Sequence, residues 1–138
     1  MRIICGFLFC LVGVMFVTCE KNKVGHSSSD IISWKDCSQK YFGSDKVRIC
    51  FDSLVEDSRC PIGALCFWQG IAVVRFSFYV NNDDRELTMA PLNSPPLYPS
   101  DTSVLGYKIE FVSLQPYSKI GEIRKLSEYK VEIKITKQ

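Results

Sequence analysis

Seven cysteines and one histidine are the most informative reactive side chains in this sequence. Catalysis by a Ser–His or Cys–His pair needs a histidine on a rigid scaffold, but His26 lies in a polar stretch. A zinc site usually takes about four nitrogen or sulfur ligands, and no such group surrounds this histidine. The sequence therefore predicts no catalytic residue, no metal and no other cofactor. A glycosidase-type carboxylate pair among Asp52, Glu56 and Asp57 stays open as the enzymatic alternative.

Four cysteines in the second part of the chain are candidates for structural disulfides: Cys37, Cys50, Cys60 and Cys66. An even number suits two bridges, and four cysteines allow three pairings. A proline and a glycine already bend the chain between Cys60 and Cys66, so we favour Cys60–Cys66 together with Cys37–Cys50. A redox-active Cys60–Cys66 pair is the alternative, although reactive dithiols usually stand two residues apart at the start of a helix.

The first 18 residues have the parts of a signal sequence. Arg2 supplies a positive charge, and residues 3–17 are almost entirely apolar. That run is shorter than the roughly 20 residues of a membrane-spanning helix. It ends in a segment that resembles a bacterial lipobox, with Phe16 and Thr18 where the pattern prefers Leu and a Gly, Ala or Ser. We expect cleavage before Cys19 and acylation of Cys19; an uncleaved short anchor and ordinary signal cleavage nearby are the alternatives.

The rest of the chain divides into a tether and one domain. Residues 19–30 contain few apolar side chains and are predicted to connect the lipidated cysteine to a domain over residues 31–138. Acyl chains would then hold the protein at a membrane, which we expect to be the outer membrane, on its periplasmic face or at the cell surface. With 17 basic and 15 acidic side chains, the chain is close to neutral and not typical of a nucleic-acid-binding protein.

Alternation of apolar and polar residues dominates the domain and predicts β-strands. The segments with this pattern are 46–55, 71–80, 85–90, 107–111 and 129–135. The proline-rich segment 91–102 cannot form a ladder, and 116–126 is expected to be a connection with at most one helical turn. These elements predict an all-β fold, a single antiparallel β-sandwich of the immunoglobulin-like type, with a small open barrel as the alternative.

The segment from Asp57 to Gly70 carries the most distinctive motif of the chain, Asp-Ser-Arg-Cys-Pro followed by Cys-Phe-Trp-Gln-Gly. It resembles a family of uncharacterised small secreted or lipid-anchored bacterial proteins, common among Bacteroidota, with Asp-x-Arg-Cys-Pro and Cys-x-Trp-x-Gly segments. The resemblance covers most of Val47 to Thr136, although Gln69 stands where the family has alanine. It implies a fold and no established activity.

Two roles are open for the residues of this motif. The first is structural: Trp68 would cover the Cys60–Cys66 disulfide, and Asp57 and Arg59 would cap loop amides or pair across the turn. The second is a binding loop, built on Trp68, Phe67 and Arg59, because aromatic and arginine side chains contribute most of the binding energy at interfaces. Tyr98, in the proline-rich loop, is a further candidate for binding.

We therefore expect a non-catalytic lipoprotein of the cell envelope, held to the membrane by its lipid anchor. Its role would be structural, or the binding of an envelope protein, peptide or glycan. An inhibitor or immunity protein that blocks a secreted enzyme or toxin through its loops is the alternative, and a hydrolase is a third, more distant one.

Overall fold

The computed structural model describes residues 29–91 and 97–138, which form one β-domain. The predicted signal segment, Cys19 and the tether up to residue 28 lie outside these described residues. The strands within them are β1 Asp30–Ser33, β2 Cys37–Phe42, β3 Asp45–Asp57, β4 Ala72–Val80, β5 Asp83–Met89, β6 Asp101–Val104, β7 Tyr107–Gln115 and β8 Lys130–Lys137, with a single 3-10 turn at Leu126–Glu128. No helix in the described ranges is long and apolar enough to cross a membrane.

The strands form two four-stranded antiparallel sheets. One has the order β1-β8-β7-β6 and the other the order β2-β3-β4-β5. The sheets are not closed into a barrel, so the predicted β-sandwich is confirmed. Its connections are simpler than the Greek key of immunoglobulin domains, because β2 to β5 and β6 to β8 each follow one another as meanders.

The core lies between the sheets and follows the predicted alternation. The strands bury every second side chain, as at Val47, Ile49 and Phe51 of β3. Rings from opposite sheets meet there: Phe76 and Phe111 pack edge to face with centroids 5.2 Å apart. Such aromatic pairs add to the free energy of area burial, so they fix the spacing of the two layers.

Three of the four strands at the sheet edges, β1, β2 and β6, were not predicted. β1 and β2 precede the first alternating segment, and β6 begins at Asp101, inside the segment predicted to be a connection. The last proline of that segment is Pro99, so the chain can pair from Asp101 onwards. Edge strands are short and carry polar side chains, which removes the apolar alternation on which the prediction depended.

The two ends of the sandwich differ in their connections. At one end, here called the turn end, tight turns at 43–44, 81–82 and 105–106 join neighbouring strands. At the other end, here called the loop end, the loops 58–71 and 116–129 join β3 to β4 and β7 to β8. The residues of the distinctive cysteine motif lie at the loop end.

Candidate functional site

The loop 58–71 is closed by covalent and backbone links at its base. The Cys60–Cys66 disulfide joins Cα atoms 5.9 Å apart. The amide of Ser58 donates to the Ile71 carbonyl at 2.8 Å, and the amide of Cys60 donates to the Gln69 carbonyl at 2.8 Å. These bonds continue the β3–β4 pairing into the loop, so the loop leaves the sheet as a fixed projection.

Both predicted disulfides are confirmed. Cys37 and Cys50 lie directly opposite each other on β2 and β3, with Cα atoms 4.0 Å apart. This bridge holds the β2 edge strand onto the sheet, whereas Cys60–Cys66 acts within one loop. The two disulfides therefore stabilise different parts of the molecule.

Gly70 is required where the loop returns to β4. Its φ of +68° lies in the left-handed region, and a Cβ there would stand 1.9 Å from the Ser58 carbonyl oxygen. A side chain at this position would force the two strands of the loop base apart. The glycine that ends the motif is therefore explained by close backbone approach.

A buried ion pair connects the base of this loop to the other sheet. The guanidinium of Arg59 donates through Nε to Asp57 Oδ1 at 2.7 Å and through Nη2 to Asp57 Oδ2 at 2.9 Å. It also donates to the carbonyls of Leu114 and Pro116, at the end of β7. The side chains of Arg59 and Asp57 are only 5% and 7% exposed.

Two tyrosines complete this group, which we call the Arg59 cluster (Asp57, Arg59, Tyr117 and Tyr129). The guanidinium lies 4.2 Å from the Tyr117 ring centroid, and the Tyr129 hydroxyl donates to Asp57 Oδ2 at 2.9 Å. Desolvation by burial acts to raise the pKa of Asp57, but hydrogen bonds and the charge of Arg59 outweigh it, so the pKa lies below its ordinary value. Burial and the hydrogen bond to Asp57 raise the pKa of Tyr129. Asp57 is thus held ionised and Tyr129 neutral, as a structural pair requires.

Arg59, which was considered for a binding role, lies inside the domain. Its guanidinium donates to Asp57 and to two backbone carbonyls, and the residue is 7% exposed. Little of its surface is therefore open to a ligand. The pairing of Asp57 with Arg59, which was the structural prediction, is what the structure contains.

Trp68, which was predicted to cover the Cys60–Cys66 disulfide, is 55% exposed. Its neighbours in the same loop, Leu65 and Phe67, are exposed as well. Tyr98 is half-buried in the segment between β5 and β6, and among the described residues no hydrogen bond or ring contact joins it to this loop.

The second loop of this end, 116–129, adds apolar side chains that the sequence did not single out. Together the two loops expose a set that we call the apolar patch: Ile62, Leu65, Phe67, Trp68, Ile120 and Ile123. The isoleucines of the second loop were missed because they lie among charged residues without any periodicity. Their signal was the presence of large apolar side chains in a segment that has no strand or helix to bury them.

Direct contacts hold the two loops side by side. The amide of Ile62 donates to the Ser118 carbonyl at 2.8 Å, and Ile62 forms an isolated parallel bridge with Lys119. A Cβ placed on Gly63 would lie 3.8 Å from Ile120 Cδ1. The apolar patch is therefore shared by two joined loops.

The charges around the patch are unevenly distributed. Loop 58–71 contains no acidic residue. In the second loop Arg124 pairs with both Glu122, at 2.8 Å, and Glu128, at 3.4 Å. Lys119 and Lys125 are exposed beside these pairs. The rim of the patch thus carries a net positive charge.

The three carboxylates considered for a glycosidase have separate partners: Ser77 donates to Asp52, Ser58 donates to Glu56, and Arg59 binds Asp57. No group of three or more His, Cys, Asp or Glu side chains in residues 29–91 and 97–138 is placed to hold a metal ion.

A shallow cavity of about 130 Å³ lies on the outer face of the first sheet. It is lined by Ile31, Ser113, Gln115, Lys130 and Glu132. Small-molecule sites usually occupy about 300–1,000 Å³, so this cavity is small for a ligand. The apolar patch is accordingly the candidate functional site.

Comparison with known proteins does not assign this chain to a family, since no family model, no curated protein and no solved structure matches it.

Proposed function

We propose that this protein is a non-catalytic lipoprotein of the cell envelope that makes its functional contact through the apolar patch. The observation that carries this proposal is the exposure of six large apolar side chains on two loops that are held in place from beneath. Soluble domains rarely expose contiguous apolar surface unless it binds something. Fixing the loops in advance lowers the entropy lost on binding.

Two further features support an exported, anchored protein. Both disulfides belong to the folded domain, and disulfides persist in oxidising compartments outside the cytosol. The segment before Cys19 has the signal-sequence pattern, and acylation of that cysteine would attach the protein to a membrane, in our proposal the outer membrane. Membership of the Bacteroidota family described above is part of the same proposal.

An inhibitor or immunity protein is the second candidate function. The observation that favours it is the projecting, disulfide-closed loop with Leu65 and Phe67 at full exposure. Such a rigid projection could enter the cleft of an enzyme or toxin. In that case the same patch residues would contact a protein active site.

The anchor is tested by metabolic labelling with an alkyne fatty acid. Wild-type protein should carry the label, and Cys19→Ala should lose it. Equal labelling of both proteins would refute lipidation at this cysteine.

The contact surface is tested by photo-cross-linking in intact cells. A benzoylphenylalanine at position 67 should form a cross-linked species, whereas the same probe at Tyr41 should not. Tyr41 is a matched control, because it is an exposed aromatic residue on β2, away from the loops. Absence of any cross-link at position 67, or equal cross-linking at both positions, would contradict the proposal.

A further inference from the structure

We infer that the apolar patch inserts into the surface of a lipid bilayer, with its lysine rim against anionic headgroups. The inference depends on the proposed function in one respect: it takes the apolar patch as the functional contact. It goes further by naming the partner as lipid. Four properties of the loop end support it.

The first property is the shape of the patch. Leu65, Phe67 and Ile123 have exposures of 105%, 108% and 96%, so each side chain projects from the domain and packs against almost nothing. A small molecule is usually bound in a concave site lined by convergent polar groups. Projecting apolar side chains instead suit a soft apolar phase, which closes around them without matching pockets.

The second property is the combination of residue types at the loop end. Trp68 and Tyr117 are partly exposed, at 55% and 43%, whereas Leu65, Phe67 and Ile123 are almost fully exposed. Tryptophan and tyrosine prefer the headgroup level of membranes, and Leu, Ile and Phe prefer the hydrocarbon. The loop end presents both classes of side chain.

The third property is charge. Lys119 and Lys125 are exposed next to the patch, while the carboxylates of Glu122 and Glu128 are paired with Arg124. The other loop has no carboxylate. The two glutamates share one arginine, so the second loop has a net charge of +1, from Lys119, Arg124 and Lys125 against Glu122 and Glu128. Basic residues near a membrane are attracted to anionic lipids, and this net charge favours that attraction.

The fourth property is the state of the backbone. Polar backbone groups that enter an apolar phase must be hydrogen-bonded internally. In the first loop the amide of Ala64 donates to the Pro61 carbonyl at 3.0 Å, and that of Ile62 donates to Ser118. In the second loop the amide of Glu122 donates to the Lys119 carbonyl at 3.1 Å. The loop tips therefore keep part of their backbone hydrogen bonding when they enter the lipid.

The anchor and the patch can reach the same membrane. β1 runs toward the loop end, since Asp30 lies opposite Ile133 and Ser33 opposite Lys130. An extended chain covers about 3.5 Å per residue, so residues 20–29 span at most about 35 Å. From Asp30, where β1 begins, the distance to the loop end is about 13 Å, the length of the four residues of β1. A lipidated Cys19 therefore does not prevent the patch from touching the bilayer that holds the anchor.

The test measures the depth of Trp68 in lipid. The full chain, purified as its producing cell matures it, carries Trp34→Phe so that Trp68 is the only tryptophan. It is reconstituted into vesicles of equal parts phosphatidylcholine and phosphatidylglycerol, with bromine-labelled acyl chains as quencher. Trp68 emission should shift to shorter wavelength and be quenched. Pure phosphatidylcholine vesicles should give weaker quenching, because they lack the anionic headgroups.

Matched variants separate the patch from the rest of the surface. In the lipidated Trp34→Phe protein, Leu65→Ser/Phe67→Ser should weaken insertion of the patch by about tenfold or more, measured as loss of Trp68 quenching in the anionic vesicles, since each fully buried apolar side chain contributes that order of affinity. Tyr41→Ser, an exposed aromatic position on β2, should leave the quenching unchanged. Equal quenching in the loop variant and its parent would overturn the inference.

The outcomes also distinguish this inference from the proposed function. Vesicles that float with the protein while Trp68 stays unquenched would overturn lipid insertion and leave the anchor intact. Protein that does not float at all would refute both the anchor and insertion. An unquenched Trp68 together with cross-linking of position 67 to a protein in cells would replace lipid with a protein partner and overturn the inference.

Discussion

The turn end and the loop end each use an aspartate that binds a tyrosine hydroxyl and a cationic side chain, but the two groups differ in burial. At the turn end Asp45 accepts hydrogen bonds from Tyr107 at 2.7 Å and Lys137 at 2.8 Å, and the side chains of Asp45 and Lys137 are 26% and 52% exposed. At the loop end Asp57 does the same with Tyr129 and Arg59, and its side chain is 7% exposed. The same three kinds of residue thus close a surface turn at one end and fix long loops at the other.

Burial is what makes the two groups differ in energy. An exposed ion pair gains little, because water and salt screen it. A buried pair costs much to desolvate, but removing one partner leaves an uncompensated charge in the interior. Short turns need little help, since they have few conformations to lose. The long loops of the other end need the stronger interaction, and they are the ones that expose the apolar patch.

The largest expected effect comes from breaking the Arg59 cluster. Arg59→Met should lower the free energy of unfolding by about 3–5 kcal/mol, because it leaves Asp57 charged and unpaired in the interior and two carbonyls without donors. Chemical denaturation measures this change. Lys137→Met, which removes the cation at the turn end, is the control and should have a much smaller effect. Similar losses for both variants would show that burial does not distinguish the two ends.

The next largest expected effect is the loss of stability on removing each disulfide, one of which joins two strands of a sheet while the other closes a loop at the loop end. Cys37→Ala/Cys50→Ala should cost about 3 kcal/mol on a chain-entropy estimate, a fall in melting temperature on the order of 10–20 °C, with the β spectrum retained. The Cys60–Cys66 bridge closes a shorter loop, so Cys60→Ala/Cys66→Ala should lower the free energy of unfolding by about 2 kcal/mol. Calorimetry compares the two. A larger loss from the loop-end pair would reverse our view of which bridge supports the fold.

The smallest effect concerns pH at the turn end. Hydrogen bonding by Lys137, with Tyr107 and Asn81, lowers the pKa of Asp45 to about 2. An aspartate in the unfolded chain has a pKa of ~3.9. The stability that ionised Asp45 contributes is therefore complete above about pH 4.5 and is lost as the pH falls through about 2. Asp45→Asn should therefore lower the melting temperature by at most about a few degrees near neutral pH. That difference should disappear toward pH ~2; one that persists unchanged there would contradict this assignment.

The central strands and the disulfides were predictable from the sequence because each has a local signal. β3, β4, β7 and β8 are buried on one face, so their apolar residues alternate. The proline and glycine between Cys60 and Cys66 favour closing that short loop. The edge strands β1, β2 and β6 lack such a pattern, because little of their surface is buried.

The candidate site was harder to predict because exposure is a tertiary property. A tryptophan next to a disulfide is usually buried, so Trp68 was expected to cover the bridge. Whether it does so depends on how loop 58–71 leaves the sheet, and the Arg59 cluster sets that direction through carbonyls more than 50 residues away in the chain. Ile120 joins the patch through another long-range contact, the hydrogen bond from Ile62 to Ser118, which no local sequence signal reports.

The claim that the loop end is a preformed surface is tested most directly by hydrogen–deuterium exchange of its backbone amides. The amides of Ser58, Cys60 and Ile62 donate to carbonyls at 2.8 Å, and we predict that they are protected to a degree comparable with Asn81 at the turn end, whose amide donates to Lys46 at 2.9 Å. Exchange of these three amides at the rate of an unstructured chain, with Asn81 still protected, would contradict the account, because the apolar patch would then have no fixed form before it meets its partner.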